Sequence, residues 1–133
     1  MNLKNSDTVD LSHKFNFLSP IMKPQIKDSI IQSILKYFLI QVPQKKKINL
    51  SYCRVDDQTV DLFVRGLMSD VVRHQIELLD FSYNHIGDEA CAHLAKLFQA
   101  NYHITKLNIG KNENITKTGL RSIIGSIRNN NNI

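Results

Sequence analysis

A chain of 133 residues with 42% hydrophobic content is long enough for one small domain with a continuous core, and too apolar to be disordered. Its most apolar stretch, Ile26 to Val42, is broken by Lys27, Asp28, Gln32, Ser33 and Lys36, which excludes a membrane span; the polar start from Met1 to Asp7 has no apolar signal core behind it. The formal net charge of +5 is modest and spread along the chain except at Lys45-Lys46-Lys47, so strong capture of nucleic acid is not expected.

In chain order, the first ordered pattern is Val9-Asp10-Leu11-Ser12-His13-Lys14, which can be laid over a later segment, Ile48-Asn49-Leu50-Ser51-Tyr52-Cys53. Ile26, Ile30, Ile31, Ile34, Leu35, Phe38 and Val42 then mark an amphipathic helix over about 25–42, opened by Pro24 and stopped by Pro43. Residues 1–44 read as a degenerate first unit acting as an N-terminal cap. The alternative is a purely helical cap behind a disordered leader.

From residue 45 onward one phrase recurs: Ile48-Asn49-Leu50-Ser51-Tyr52-Cys53, then Leu79-Asp80-Phe81-Ser82-Tyr83-Asn84, then Leu107-Asn108-Ile109-Gly110-Lys111-Asn112. Leu79 and Leu107 are 28 positions apart. In each phrase apolar and polar residues alternate, the period of a short strand with one buried face. Asn84 and Asn112 close their strands where the chain must turn, and an amide there can both donate to and accept from free backbone groups. Cys53, small and apolar, holds that column in the earlier unit.

The period then changes to that of a helix. Val60, Phe63, Val64, Leu67 and Met68 share one helical face, as do Ala90, Leu94, Leu97 and Phe98, and as do Leu120, Ile123, Ile124 and Ile127. Asp56, Gly87 and Thr116 precede these runs as N-caps. The units span 45–75, 76–103 and 104–133, and Ile133 falls in the column of Ile76 and Ile104, where a further unit would begin. The last strand, Ile104 to Gly110, is an open edge; Lys106, Lys111 and Lys117 place charge beside it, so a monomer is expected, with self-association through that edge, or a chain that is a fragment of a longer parent, as the alternatives.

The phrase with its helix resembles the leucine-rich repeats of the ribonuclease-inhibitor type, L-x-x-L-x-L-x-x-N/C-x-L followed by a helix, with a period near 28. The two later units match closely, and the unit from Ile48 has a longer return through Val71-Val72-Arg73. Together they cover Lys45 to Asn130. In the degenerate first unit Lys14 departs from the Asn/Cys column. The resemblance implies an α/β solenoid, a short right-handed βα horseshoe with a parallel sheet on its concave side and helices on its convex side.

In such a solenoid the residues alternating with the buried ones point together into the concave face: Lys47, Asn49 and Ser51; Leu78, Asp80 and Ser82; Lys106, Asn108 and Gly110; and Thr8, Asp10 and Ser12 from the first unit. Tyr52 and Tyr83 follow on the ascending turns, and tyrosine offers large contact area at low entropy cost. A protein-protein interaction module is therefore expected, binding through concave strands and ascending loops. Proteins of similar architecture include inhibitors, innate immune sensors, GTPase regulators and bacterial effectors. Richness in Lys, Asn and Ile fits an AT-rich genome, which adds an effector acting in a host cytosol to the expectations.

No enzyme, metal or cofactor is expected. His13, His74, His85, His93 and His103 have no ligand spacing, Glu89 and His93 suit a surface pair, and no glycine-rich phosphate loop exists. The two cysteines, Cys53 and Cys91, fit repeat positions without a disulfide, so a reducing, cytoplasmic setting is expected. The competing expectation is a basic domain that binds nucleic acid or another acidic surface nonspecifically. It rests on the pI of about 9.3 and on Lys45-Lys46-Lys47, with no basic and aromatic interleaving to support it.

Overall fold

The structure is a computed structural model that describes residues 8–13, 23–36, 46–68, 76–100 and 104–129. Within these residues the order is β1 (Thr8–Asp10), α1 (Pro24–Leu35), β2 (Lys47–Asn49), α2 (Asp57–Leu67), β3 (Leu78–Asp80), α3 (Asp88–Ala100), β4 (Lys106–Asn108) and α4 (Lys117–Asn129). The strands form one parallel sheet in sequence order, β1-β2-β3-β4. Each neighbouring pair of strands is joined through a helix, as parallel pairing requires.

Each strand is three residues long, and its middle residue is the one turned toward the helices. Val9 pairs with Ile48, Ile48 with Leu79 and Leu79 with Leu107, so the first segment enters the sheet in the register that its overlay on Ile48-Asn49-Leu50 suggests. Behind this row, Leu50, Phe63, Phe81, Ile86, Leu94 and Phe98 complete a single core cluster. Phe63 meets Phe81 edge to face, with centroids 6.2 Å apart and planes at 72°, an arrangement that aromatic quadrupoles favour.

Side chains tie one repeat to the next in two columns. Asn84 accepts from the backbone N–H groups of Cys53 (2.9 Å) and Val55 (3.0 Å) in the preceding unit, and its amide donates to the carbonyls of Leu50, Phe81 and Ser82. Asn112 repeats this, accepting from Asn84 and Ile86 and donating to Phe81, Ile109 and Gly110. At Cys53 the thiol donates instead, to the carbonyls of Leu11 (3.1 Å) and Ser51 (3.3 Å).

The second column lies at the helix N-termini. Asp56 caps its own helix by accepting from Thr59 N–H, as its position before α2 suggests. The next two helices are capped across the repeat boundary. Asp57 Oδ1 accepts from Gly87 N–H (2.7 Å) and Ala90 N–H (3.3 Å); Asp88 Oδ1 accepts from Thr116 N–H (2.7 Å) and Gly119 N–H (3.1 Å). Each carboxylate sits in the first turn of one helix and satisfies orphan amides of the next, where the positive end of the helix dipole also favours it.

Several apolar residues are less buried than their helical period predicts. Met68, at the C-cap of α2, is 46% exposed, because the chain leaves the helix there. In α4, Ile123 is buried while Leu120 and Ile124 are about half exposed. That helix packs against α3, and no described element covers its other flank. Ile26 is similarly exposed at the start of α1, whose described part ends at Leu35; the expected continuation to residue 42 lies outside the described residues, as do Val71-Val72-Arg73 and Ile133.

Candidate binding face

On the sheet face away from the helices the strand register aligns two rows. Thr8, Lys47, Leu78 and Lys106 form one; Asp10, Asn49, Asp80 and Asn108 form the other. Lys47, Asn49, Leu78 and Asp80 are half-buried, and Lys106 and Asn108, on the edge strand, are exposed. One row thus offers two ammonium groups flanking an apolar side chain. The other offers carboxylates and amides in alternation.

The second row also bends the chain. Asp80 Oδ1 accepts from Ser82 N–H (2.9 Å) and from Ser82 Oγ–H (2.6 Å); Asn49 Oδ1 does the same for Ser51 (3.0 and 2.7 Å), and Asp10 for Ser12 (3.1 and 2.7 Å). Asn108 accepts from the Gly110 N–H at 3.0 Å. These are Asx turns, in which a short side chain stands in for a backbone acceptor. Ser51 and Ser82, expected to point outward, are therefore 8% and 5% exposed with their hydroxyls held by the turn. Strand alternation ends at Asn49 and Asp80, so the period of two no longer applies to the serines.

The next residue along is left-handed in every unit: φ is 62° at His13, 57° at Tyr52, 58° at Tyr83 and 59° at Lys111. That conformation is uncommon for residues other than glycine. Here it is held laterally, because His13 N–H donates to Ser51 O, Tyr52 N–H to Ser82 O and Tyr83 N–H to Gly110 O. The side chains consequently project in a column. His13 stacks on Tyr52 and Tyr52 on Tyr83, each pair with centroids 4.4 Å apart and planes at 12°.

Tyr52 and Tyr83 remain 43% and 46% exposed. Local burial, together with a hydrogen bond to the neighbouring Tyr83 phenol and that phenol's charge when ionised, pushes the Tyr52 hydroxyl above the ordinary tyrosine value of 10.0. Beyond Tyr83 an open pocket of about 290 Å³ is lined by both tyrosines, Asn84, His85, Lys111, Glu113 and Asn114.

The match to the leucine-rich repeat family falls on residues 76–95 and 100–123, the units that carry Asn84, Tyr83 and Asn112. The chain carries leucine-rich repeats over these residues. It is 30% identical over 82 residues to human Protein NLRC5, a stretch that covers 62% of this chain and 4% of NLRC5. Its fold is similar to that of leiomodin-1 Actin-Binding Site 2, with a TM-score of 0.71 and 15% identity, covering 98% of this chain and 68% of the other. At that identity the likeness shows the fold alone.

Among the described residues no group of three or more His, Cys, Asp or Glu side chains is placed to hold a metal. His93 approaches Asp61 of α2 (Nδ1 to Oδ1 3.5 Å) instead of pairing with Glu89, and Arg65 shares the same carboxylate. Cys53 and Cys91 are buried thiols that form no disulfide. Burial, with the charges of Asp88 and Asp57 adding, pushes the Cys91 thiol up to about 11. Lys46, one of the three consecutive lysines, lies 4.0 Å from Glu77.

Lys111, His85, Glu113 and Asn114 were not singled out as site residues from the sequence, nor was His13 recognised as a ring partner. A signal for His13 and Lys111 existed: they hold the same place in their phrases as Tyr52 and Tyr83.

Proposed function

We propose that this chain is an interaction module that holds a partner protein through the open face of β1 to β4 and the adjoining aromatic column. The observation that carries this reading is the exposed, mutually stacked Tyr52 and Tyr83 beside a face of mixed charge. Stacking fixes the two rings before any partner arrives, so little side-chain freedom is lost on binding. Lys47, Leu78 and Lys106, with Asn49, Asp80 and Asn108 two residues further along, suit a partner surface that presents both signs around an apolar contact. The leiomodin-1 fragment is named as an actin-binding site, which supports a protein as the partner class without carrying actin over.

The role is binding without catalysis or a cofactor, and a nonspecific phosphate-binding role is less favoured because Glu77 stands beside Lys46. The finer reading, a ribonuclease-inhibitor-type repeat working as an effector in host cytosol, rests on repeat length and on composition; export of a tagged chain into host cells would test the effector part. The central test is capture from lysate by the wild type and by a Tyr52→Asn/Tyr83→Asn variant, since asparagine keeps the left-handed backbone. Proteins retained by the wild type alone, and held as salt rises, support the interface. If every captured protein also binds the variant, the face is misassigned.

A further inference from the structure

We infer that the His13, Tyr52 and Tyr83 column is an unfinished aromatic stack, and that a tyrosine or tryptophan side chain of the partner completes it on the outer face of Tyr83. The inference rests on the protein-interaction reading and names what this part of the face receives. Three rings follow one another at 4.4 Å with planes at 12°, and each occupies the left-handed position of its turn. The backbone supplies a fourth position in the same series. Lys111 has φ 59°, and Gly110, just before it, accepts from Tyr83 N–H at 3.0 Å. The series of rings ends there because the residue is lysine.

The pocket meets this break, lined by Tyr52 and Tyr83 together with Asn84, His85, Lys111, Glu113 and Asn114. Its volume of about 290 Å³ is at the lower end of the roughly 300–1,000 Å³ typical of small-molecule sites, which suits one inserted side chain. A guanidinium also stacks on tyrosine, but Lys111 places a like charge beside it that offsets the attraction of Glu113. An aromatic ring meets no such penalty, since its π face tolerates an ammonium. Glu113 and Asn114 line the pocket as hydrogen-bond acceptors, which favours a phenol O–H or an indole N–H over a bare phenyl ring.

The chain contains no tryptophan, so a tryptophan probe is spectrally separate from the protein. The experiment titrates the folded chain with N-acetyl-tryptophanamide, N-acetyl-tyrosinamide, N-acetyl-phenylalaninamide and N-acetyl-argininamide, following backbone amide shifts by NMR. Saturable shifts at Tyr83, His85, Lys111 and Glu113 are expected for the tryptophan and tyrosine amides. The phenylalanine amide is expected to bind about 3- to 10-fold more weakly, as loss of one hydrogen bond implies.

Tyr83→Asn should abolish these shifts, and Lys111→Tyr, which fills the fourth rung from within the chain, should remove them at Tyr83 while keeping the fold. Equal or tighter binding of the arginine amide overturns the inference. So does the absence of saturable shifts at the pocket, or their survival in Tyr83→Asn. Such failures leave the protein-interaction reading standing or falling on lysate capture, because proteins lost by the double tyrosine variant report on the whole face.

Discussion

Removing the Asn84 side chain tests how far the fold depends on bonds between repeats. Asn84→Ala deprives the N–H groups of Cys53 and Val55, both fully buried, of their acceptor. Each unsatisfied buried donor costs about 1–3 kcal/mol. The Leu50 and Ser82 carbonyls lose a donor too, whereas Phe81 O keeps the amide of Asn112. A loss of about 3–5 kcal/mol is expected, at the upper end for a single substitution and a large part of the roughly 5–15 kcal/mol that holds a domain together. Asn84→Cys copies the column's own alternative, since the Cys53 thiol donates to two carbonyls, and should cost less. Urea unfolding followed by circular dichroism measures both, with the slope checked because solenoids can unfold in stages. A loss under about 1 kcal/mol for Asn84→Ala, or equal losses for the two variants, refutes the reasoning.

Gly66→Ala is expected to destabilise by about 1–3 kcal/mol in the same assay, because its new methyl would overlap Leu35 Cδ1 where α1 packs on α2. Asp88 has its carboxyl held below the ordinary aspartate value of 3.8 by the Thr116 hydroxyl and by the Thr116 and Gly119 amides. A depressed folded value means that its support for α4 is fully present above the ordinary carboxylate range and is lost as pH falls through the lowered value. Acid titration of α4 amide protection should show that loss, and Asp88→Asn should remove the pH dependence. The Tyr52 phenol should ionise above the ordinary tyrosine value and move back toward it in Tyr83→Phe, read from phenolate absorbance. Cys91, with its thiol raised to about 11, should resist thiol reagents in the native chain and react once the chain is unfolded.

The sheet was legible because Val9, Ile48 and Leu107 each stand between polar neighbours and Leu79 and Phe81 alternate with Asp80 and Ser82, and a period of two admits one reading for them. The bonding capacity of Asn84 and Asn112 was legible too, since a buried amide at a turn must find partners. Asp57 and Asp88 were not. Each lies inside its own helix by sequence and acts on the helix after it, a relation that only the packed solenoid creates. The stack was hidden for a related reason: His13, Tyr52 and Tyr83 become neighbours through strand register and a left-handed backbone together. Leu120 and Ile124 share a helical face with Ile123 by period yet stay about half exposed, because no described element covers the other flank of α4.

The same row of residues bends the chain and lies on the open face proposed for binding, and its alternation separates the two roles. Asp10, Asn49, Asp80 and Asn108 all use Oδ1 to accept from the residue two positions ahead. Since asparagine makes this turn as well as aspartate does, the turn requires an oxygen and no charge. The charge of Asp80 is therefore surplus to the fold, in the half-buried middle of the sheet with Lys47 and Lys106 in the parallel row. Charge left over from folding at the centre of an open face is available for choosing a partner. Asp80→Asn therefore isolates recognition, whereas an arginine there would remove the turn's acceptor and perturb both roles together.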